Sequence, residues 1–188
     1  RLALAALFAL LAPSAQAREL LVLSAAPVQA GKFHVLDEIG KPLGWRVRYL
    51  LADRLTGEEG TGMFKGADLV LLDIPYDPVV EAVERKVGRA LAQARTPWLK
   101  IQAERHAVKG FSEPDARQLW LYYTNGGKRN FGNFFRYLEA RVFAAGGAPV
   151  AVPVTTPVAA PIVFPKAGIY HPDYEGVVFE RAADYFAW

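Results

Sequence analysis

Apolar positions along the chain fall into short unbroken runs that alternate with longer stretches in which they recur every three or four residues. Leu20 to Leu23 is such a run, closed by Ser24, Ala25, Ala26 and Pro27, and reads as a buried strand. Lys32 to Ile39 reads as a short helix ended by Gly40 and Pro42. From Trp45 to Leu51, Val47, Tyr49 and Leu51 alternate with Arg46 and Arg48, the period of a strand with one polar face. Asp53 to Lys65 is glycine-rich and carries no clear period. Leu69 to Leu72 is a second buried run, closed by Asp73, Ile74 and Pro75. A helix then opens with Asp77 as cap and Pro78 in its first turn, and Val79, Val80, Val83, Val87 and Leu91 follow at helical spacing. Trp98 to Ile101 is a fourth strand. Ser112-Glu113-Pro114-Asp115 has the form of a capping box for a helix through Leu119, Trp120 and Tyr123, stopped by Asn125-Gly126-Gly127. A further helix carries Phe131, Phe134, Phe135, Leu138 and Val142 as one stripe. Strands alternating with helices predict an α/β fold, an open, doubly wound, mostly parallel sheet with helices on both faces, over residues 18–147.

Two segments break the pattern. Leu2 to Ala12 is apolar and uncharged, follows Arg1, and leads through Pro13 to Ala15-Gln16-Ala17 before the charged pair Arg18-Glu19. A short apolar core with a small-x-small site predicts a signal peptide over 1–17, cleaved after Ala17, its charged start incomplete, and an exported, periplasmic product without a membrane span. A retained anchor or docked helix is the alternative, and with it a cytoplasmic location. From 148 to 165, Pro149, Pro153, Pro157, Pro161 and Pro165 recur every four residues among Ala and Val. Prolines at that spacing forbid a helix and predict an extended connector. Residues 166–188 read as the start of a second α/β domain, with a strand at Ala167 to Tyr170 and a helix from Arg181 in which the chain is interrupted at Trp188.

Composition narrows the chemistry. Apolar residues are 52% of the 188 and charged residues 22%, enough for a substantial core. The net charge of +3 is spread among interspersed acids and bases, without the basic face that nucleic-acid binding requires. The absence of cysteine excludes disulfides, zinc-thiolate sites and a cysteine nucleophile within the chain. No phosphate loop occurs, and glycines 57, 60, 62 and 66 precede a strand rather than follow one. His34 and His106 lack a second ligand at i+3 or i+4 and read as surface or loop residues, although both fall near predicted strand ends. Asp73 and Tyr76 follow the third strand, where open α/β sheets bind ligands. The favoured reading of Asp73 is a turn residue accepting backbone hydrogen bonds, with the ligand role second. In Tyr170-His171-Pro172 the proline restricts a histidine just after a strand, either for a backbone hydrogen bond or for a cleft edge.

Three stretches in order carry a resemblance to a known family. Met63-Phe64-Lys65-Gly66-Ala67-Asp68-Leu69-Val70-Leu71-Leu72-Asp73-Ile74-Pro75 resembles a strand ending in an acid and proline. Tyr122-Tyr123-Thr124-Asn125-Gly126-Gly127, with Asn130, Asn133 and Tyr137-Leu138, is similar to a Y-x-N-G-G-x-x-N segment. Ala167-Gly168-Ile169-Tyr170-His171-Pro172, with Phe179, Tyr185 and Trp188, resembles a G-[IL]-[YW]-H-P element and the helix after it. Together they resemble the N-terminal region of the cobaltochelatase large subunit (CobN) and magnesium-chelatase H family. The resemblance implies a large subunit that binds a tetrapyrrole and inserts a divalent metal substrate when AAA+ ATPase partner subunits act on it with ATP. In the CobN branch the metal is cobalt and the acceptor hydrogenobyrinic acid a,c-diamide, in cobalamin biosynthesis; in the other branch they are magnesium and protoporphyrin IX. The family's metal-inserting residues fall beyond Trp188, and none is carried onto this chain. Tyr170, His171, Asp73 and Tyr76 are the candidate ligand-binding residues. Export sits awkwardly with ATP-dependent chemistry, and the alternative is an exported, non-catalytic protein that binds corrinoid or metal in the cell envelope.

Overall fold

The computed structural model describes residues 17–24, 30–55, 60–74, 77–102, 106–143, 157–163, 169–170, 178–179 and 181–187. Strands β1 (Arg18–Ser24), β2 (Trp45–Leu51), β3 (Leu69–Asp73), β4 (Trp98–Ile101) and β5 (His106–Lys109) form one sheet in the order β2-β1-β3-β4-β5. The first four run parallel; β5 returns antiparallel to β4, with Ile101 opposite His106 and Trp98 opposite Lys109. Leu20 to Leu23 and Leu69 to Leu72 are buried on both faces, which is why these strands read as continuous apolar runs.

Helix α1 (Ala30–Gly40) joins β1 to β2, and helix α2 (Asp77–Gln93) joins β3 to β4. The two crossovers step in opposite directions along the sheet, so right-handed connections place their helices on opposite faces. Phe33 and Leu36 of α1 share one core with Leu20, Val22, Leu69 and Leu71. Val83, Val87 and Leu91 of α2 share the other with Leu21, Leu23, Val70 and Leu72. Helices α3 (Glu113–Asn125) and α4 (Gly127–Tyr137) thicken the α1 face, and α4 runs on into a π-helical turn, Leu138–Val142. Phe134, Phe135 and Leu138 are fully buried there, the stripe expected from the sequence. The glycine-rich stretch contains two short 3₁₀ turns, Ala52–Arg54 and Gly60–Phe64, and buries Phe64 against the α2 face.

The fold expectation of a doubly wound, mostly parallel sheet is met. Strand β5 and its antiparallel return were not anticipated: His-Ala-Val-Lys offers only two apolar positions, too few for a period to show. Farther along, β6 (Ile169–Tyr170) and β7 (Val178–Phe179) pair antiparallel and precede helix α5 (Ala182–Ala187).

Candidate functional site

Strand order reverses between β1 and β3, because β1 connects outward to β2 and β3 outward to β4. In open α/β sheets the carboxyl ends of the strands beside such a reversal form a crevice used for ligands. The last residues of the two strands, Ser24 and Asp73, stand opposite one another in register. One strand over, Gln102 follows β4. All three are buried and polar, and they sit along one edge of the sheet.

Asp73 is the centre of this edge. Its Oδ2 accepts a hydrogen bond from the Tyr123 hydroxyl at 2.9 Å and faces the Lys32 ammonium at 3.4 Å. The same ammonium lies 3.9 Å from the centroid of the Tyr123 ring, within cation–π range. Three elements converge here: the end of β3 supplies the carboxylate, the first turn of α1 the lysine, and the third-from-last position of α3 the phenol. Burial, and then the Asp73 carboxylate, push the Tyr123 phenol well above its ordinary value of 10.0, so it is a fixed donor. Burial lowers the Lys32 ammonium below 10.5, and the Asp73 charge opposes that shift only in part. Tyr123 is held in turn by tilted ring contacts with Phe131 and Phe134, both at 6.0 Å.

The turn between α3 and α4 carries a second polar arrangement. Gly126 and Gly127 have φ of +66° and +80°, a left-handed backbone that glycine adopts without strain. They aim α4 so that Asn130 is buried at its first turn. The Asn130 amide donates to the Ile162 carbonyl and its Oδ1 accepts from the Ile162 N–H, both at 2.9 Å. The Tyr122 hydroxyl donates to the Ala159 carbonyl at 2.5 Å. Two buried side chains therefore tie the described part of the proline-rich connector, residues 157–163, to the helices, and Val158 packs on their core.

The opposite, amino-terminal edge of the sheet is charged and paired. Buried Glu19 binds Arg46 and, at 2.7 Å, Arg48; Arg18 bridges Glu139 at 3.0 Å and Asp68 at 3.5 Å. These pairs tie β1 to β2 and to the helical layer. On the α2 face a cavity of about 260 Å³ is lined mainly by Leu72, Ile74, Val83, Leu91 and Trp98, with a Lys100–Glu84 pair at 2.6 Å beside it.

Of the residues singled out in the sequence, Asp73 is where expected at the strand end, and among the described residues its partners are side chains from two helices. Tyr170 stands in β6 opposite Val178; Tyr76 and His171 lie outside the described residues. His34 is an exposed residue of α1, not part of the strand edge. His106 begins β5, where its Nε2 lies 2.6 Å from Glu113. Lys32 and Tyr123 were not singled out. Their signal was present only as a lone lysine in an apolar helix and a tyrosine inside the Y-x-N-G-G stretch. Among the described residues no three His, Asp or Glu side chains converge as metal ligands, and no helix is long and apolar enough to cross a membrane.

Comparison with known proteins bears out the family resemblance. Residues 120–188 match the family model described as CobN/Magnesium Chelatase. No curated protein matches the chain. A solved structure, the catalytic subunit of cobaltochelatase from Mycobacterium tuberculosis, is similar with a TM-score of 0.52 at 18% identity. The match covers 82% of this chain and 12% of that one, and at such identity it is the fold that is shared.

Proposed function

From residues 120–188, which carry the pattern of the CobN/Magnesium Chelatase family, we propose that this chain is the N-terminal part of a CobN-like large subunit. The subunit binds a tetrapyrrole and takes part in ATP-dependent insertion of cobalt into hydrogenobyrinic acid a,c-diamide, with AAA+ ATPase subunits as partners. The observation that carries this reading is the family match over helices α3 and α4 and the segment beyond them. It is supported by the fold, which resembles a stretch of a cobaltochelatase catalytic subunit. Within the chain the proposed contribution is binding: Asp73 and its partners at the strand edge, and Tyr76, Tyr170 and His171 as further ligand-facing residues. Metal insertion is assigned to parts of the subunit beyond Trp188. Spectroscopic titration of the intact protein from its native cell, with hydrogenobyrinic acid a,c-diamide and separately with protoporphyrin IX, tests the reading. Tight binding of the corrinoid precursor over the porphyrin is expected; binding of neither contradicts it.

A second reading is favoured by one feature. The apolar run before Ala15-Gln16-Ala17 has the form of an export signal, and β1 begins at Arg18, immediately after that site. Cleavage there leaves the strand whole. An exported CobN-like protein would bind corrinoid or metal in the envelope without catalysis. Mass spectrometry of the native protein is expected to give Arg18 as the first residue; cytosolic protein retaining residues 1–17 would remove this reading.

A further inference from the structure

Among the described residues, Lys32 is the least committed cation of the sheet's carboxyl edge. A fully engaged ammonium–carboxylate bond is about 2.7–2.9 Å long, and two other lysines here come at least that close, Lys41 with Asp37 at 2.7 Å and Lys100 with Glu84 at 2.6 Å. Lys32 stands 3.4 Å from Asp73, with its side chain 27% exposed where that of Asp73 is 5% exposed. An ammonium has three donors, and a single long contact and a ring face leave it capacity for another acceptor. Its two neighbours hold it in place: Tyr123 is fixed to Asp73 at 2.9 Å and lies beneath the ammonium. This is a poor arrangement for a purely structural ion pair, which gains from short contact. It suits a cation kept at the mouth of the crevice between β1 and β3.

The sequence narrows the acceptor. Between β1 and α1 the chain reads Ala25-Ala26-Pro27-Val28-Gln29, with no glycine and one residue lacking an N–H, unlike the glycine-rich turn that wraps a phosphate in backbone amides. A single lysine without such a turn matches a carboxylate better. We propose that Lys32 receives a peripheral carboxylate of the tetrapyrrole at this edge, with Asp73 and Tyr123 as its positioning residues. The assignment rests on the chelatase reading above and adds to it a specificity for the acid side chains of the macrocycle.

The test is absorption titration of the intact protein with hydrogenobyrinic acid a,c-diamide and with its methyl ester, in wild type, Lys32→Arg, and the double variant Lys32→Met/Asp73→Asn. The double variant removes both charges together, so no buried carboxylate is left unpaired. The acid is expected to bind about tenfold more weakly to the double variant, as for loss of one charge-assisted hydrogen bond. Lys32→Arg is expected to retain most of the affinity, and the ester to bind wild type and double variant alike. Circular dichroism melting of each variant separates folding from binding. An unchanged affinity of the folded double variant for the acid, or equal binding of acid and ester by wild type, overturns the assignment and leaves the chelatase reading standing. Failure of wild type to bind the acid at all overturns both.

Discussion

At the scale of single residues, Asp73 and Asn130 are buried polar side chains held by specific partners. Tyr123→Phe deletes the hydroxyl that donates to buried Asp73. A bond to a charged acceptor is worth about 1.5–3 kcal/mol, so urea unfolding should show a loss of that order; no loss would mean that the carboxylate does not depend on it. Asn130→Ala should cost a similar amount by leaving the Ile162 amide and carbonyl without their partner. Acid sensitivity follows from three carboxylates. Burial alone would raise Glu19, Asp37 and Asp115, but Arg48 and Arg46, Lys41 and the Val47 amide, and Ser112 and Tyr137 outweigh it and hold the three below their ordinary values of 4.5, 3.8 and 3.8. A depressed carboxylate stabilises the fold above its unfolded value and loses that contribution as pH falls through the folded one. Glu139 runs the other way, raised by burial despite Arg18, and partly offsets the loss. Melting temperature should fall as pH drops below about 4.5, and Glu19→Gln should flatten that fall; an equal slope in the variant would remove Glu19 as a cause.

At the scale of elements, what a pattern could show depended on length and period. Helix α3 was legible because its cap is local: the Ser112 hydroxyl accepts from the Asp115 N–H at 3.3 Å, as Ser-Glu-Pro-Asp implied. Ser112→Ala should destabilise by about 1 kcal/mol in thermal or urea melts, and Ser112→Asn should not. Strands β1 and β3 were legible as runs of Leu and Val, and β2 as the alternation of Val47, Tyr49 and Leu51 with Arg46 and Arg48. Strand β5 was not, since its place is set by partners distant in sequence: Lys109 reaches back to the Ala92 and Ala94 carbonyls, each at 2.9 Å, at the end of α2. The connector was read from its prolines as extended, and proline spacing does exclude a helix. That it is bonded to Tyr122 and Asn130 was invisible, because side chain to backbone bonds across thirty or more residues leave no period. The candidate site divides in the same way. Asp73 was found by its position after a strand, whereas Lys32 and Tyr123 join it only through the packing of α1 and α3 on one face.

At the scale of the whole molecule, the chain spans 12% of the length of the cobaltochelatase subunit whose fold it resembles, and the proposal assigns it a binding role in a larger subunit. It follows that these 188 residues alone should neither hydrolyse ATP nor insert metal; turnover by the isolated chain without an ATPase would overturn that division of labour. The proposed export signal belongs to this scale as well, since an envelope location would separate the protein from cytosolic ATP. The most direct test of the central proposal is cobalt incorporation into hydrogenobyrinic acid a,c-diamide by the intact native protein, followed by absorbance with and without ATP and AAA+ ATPase subunits. The proposal predicts incorporation that requires both ATP and those subunits; no incorporation under any of these conditions, with the protein folded and the corrinoid precursor bound, would contradict it.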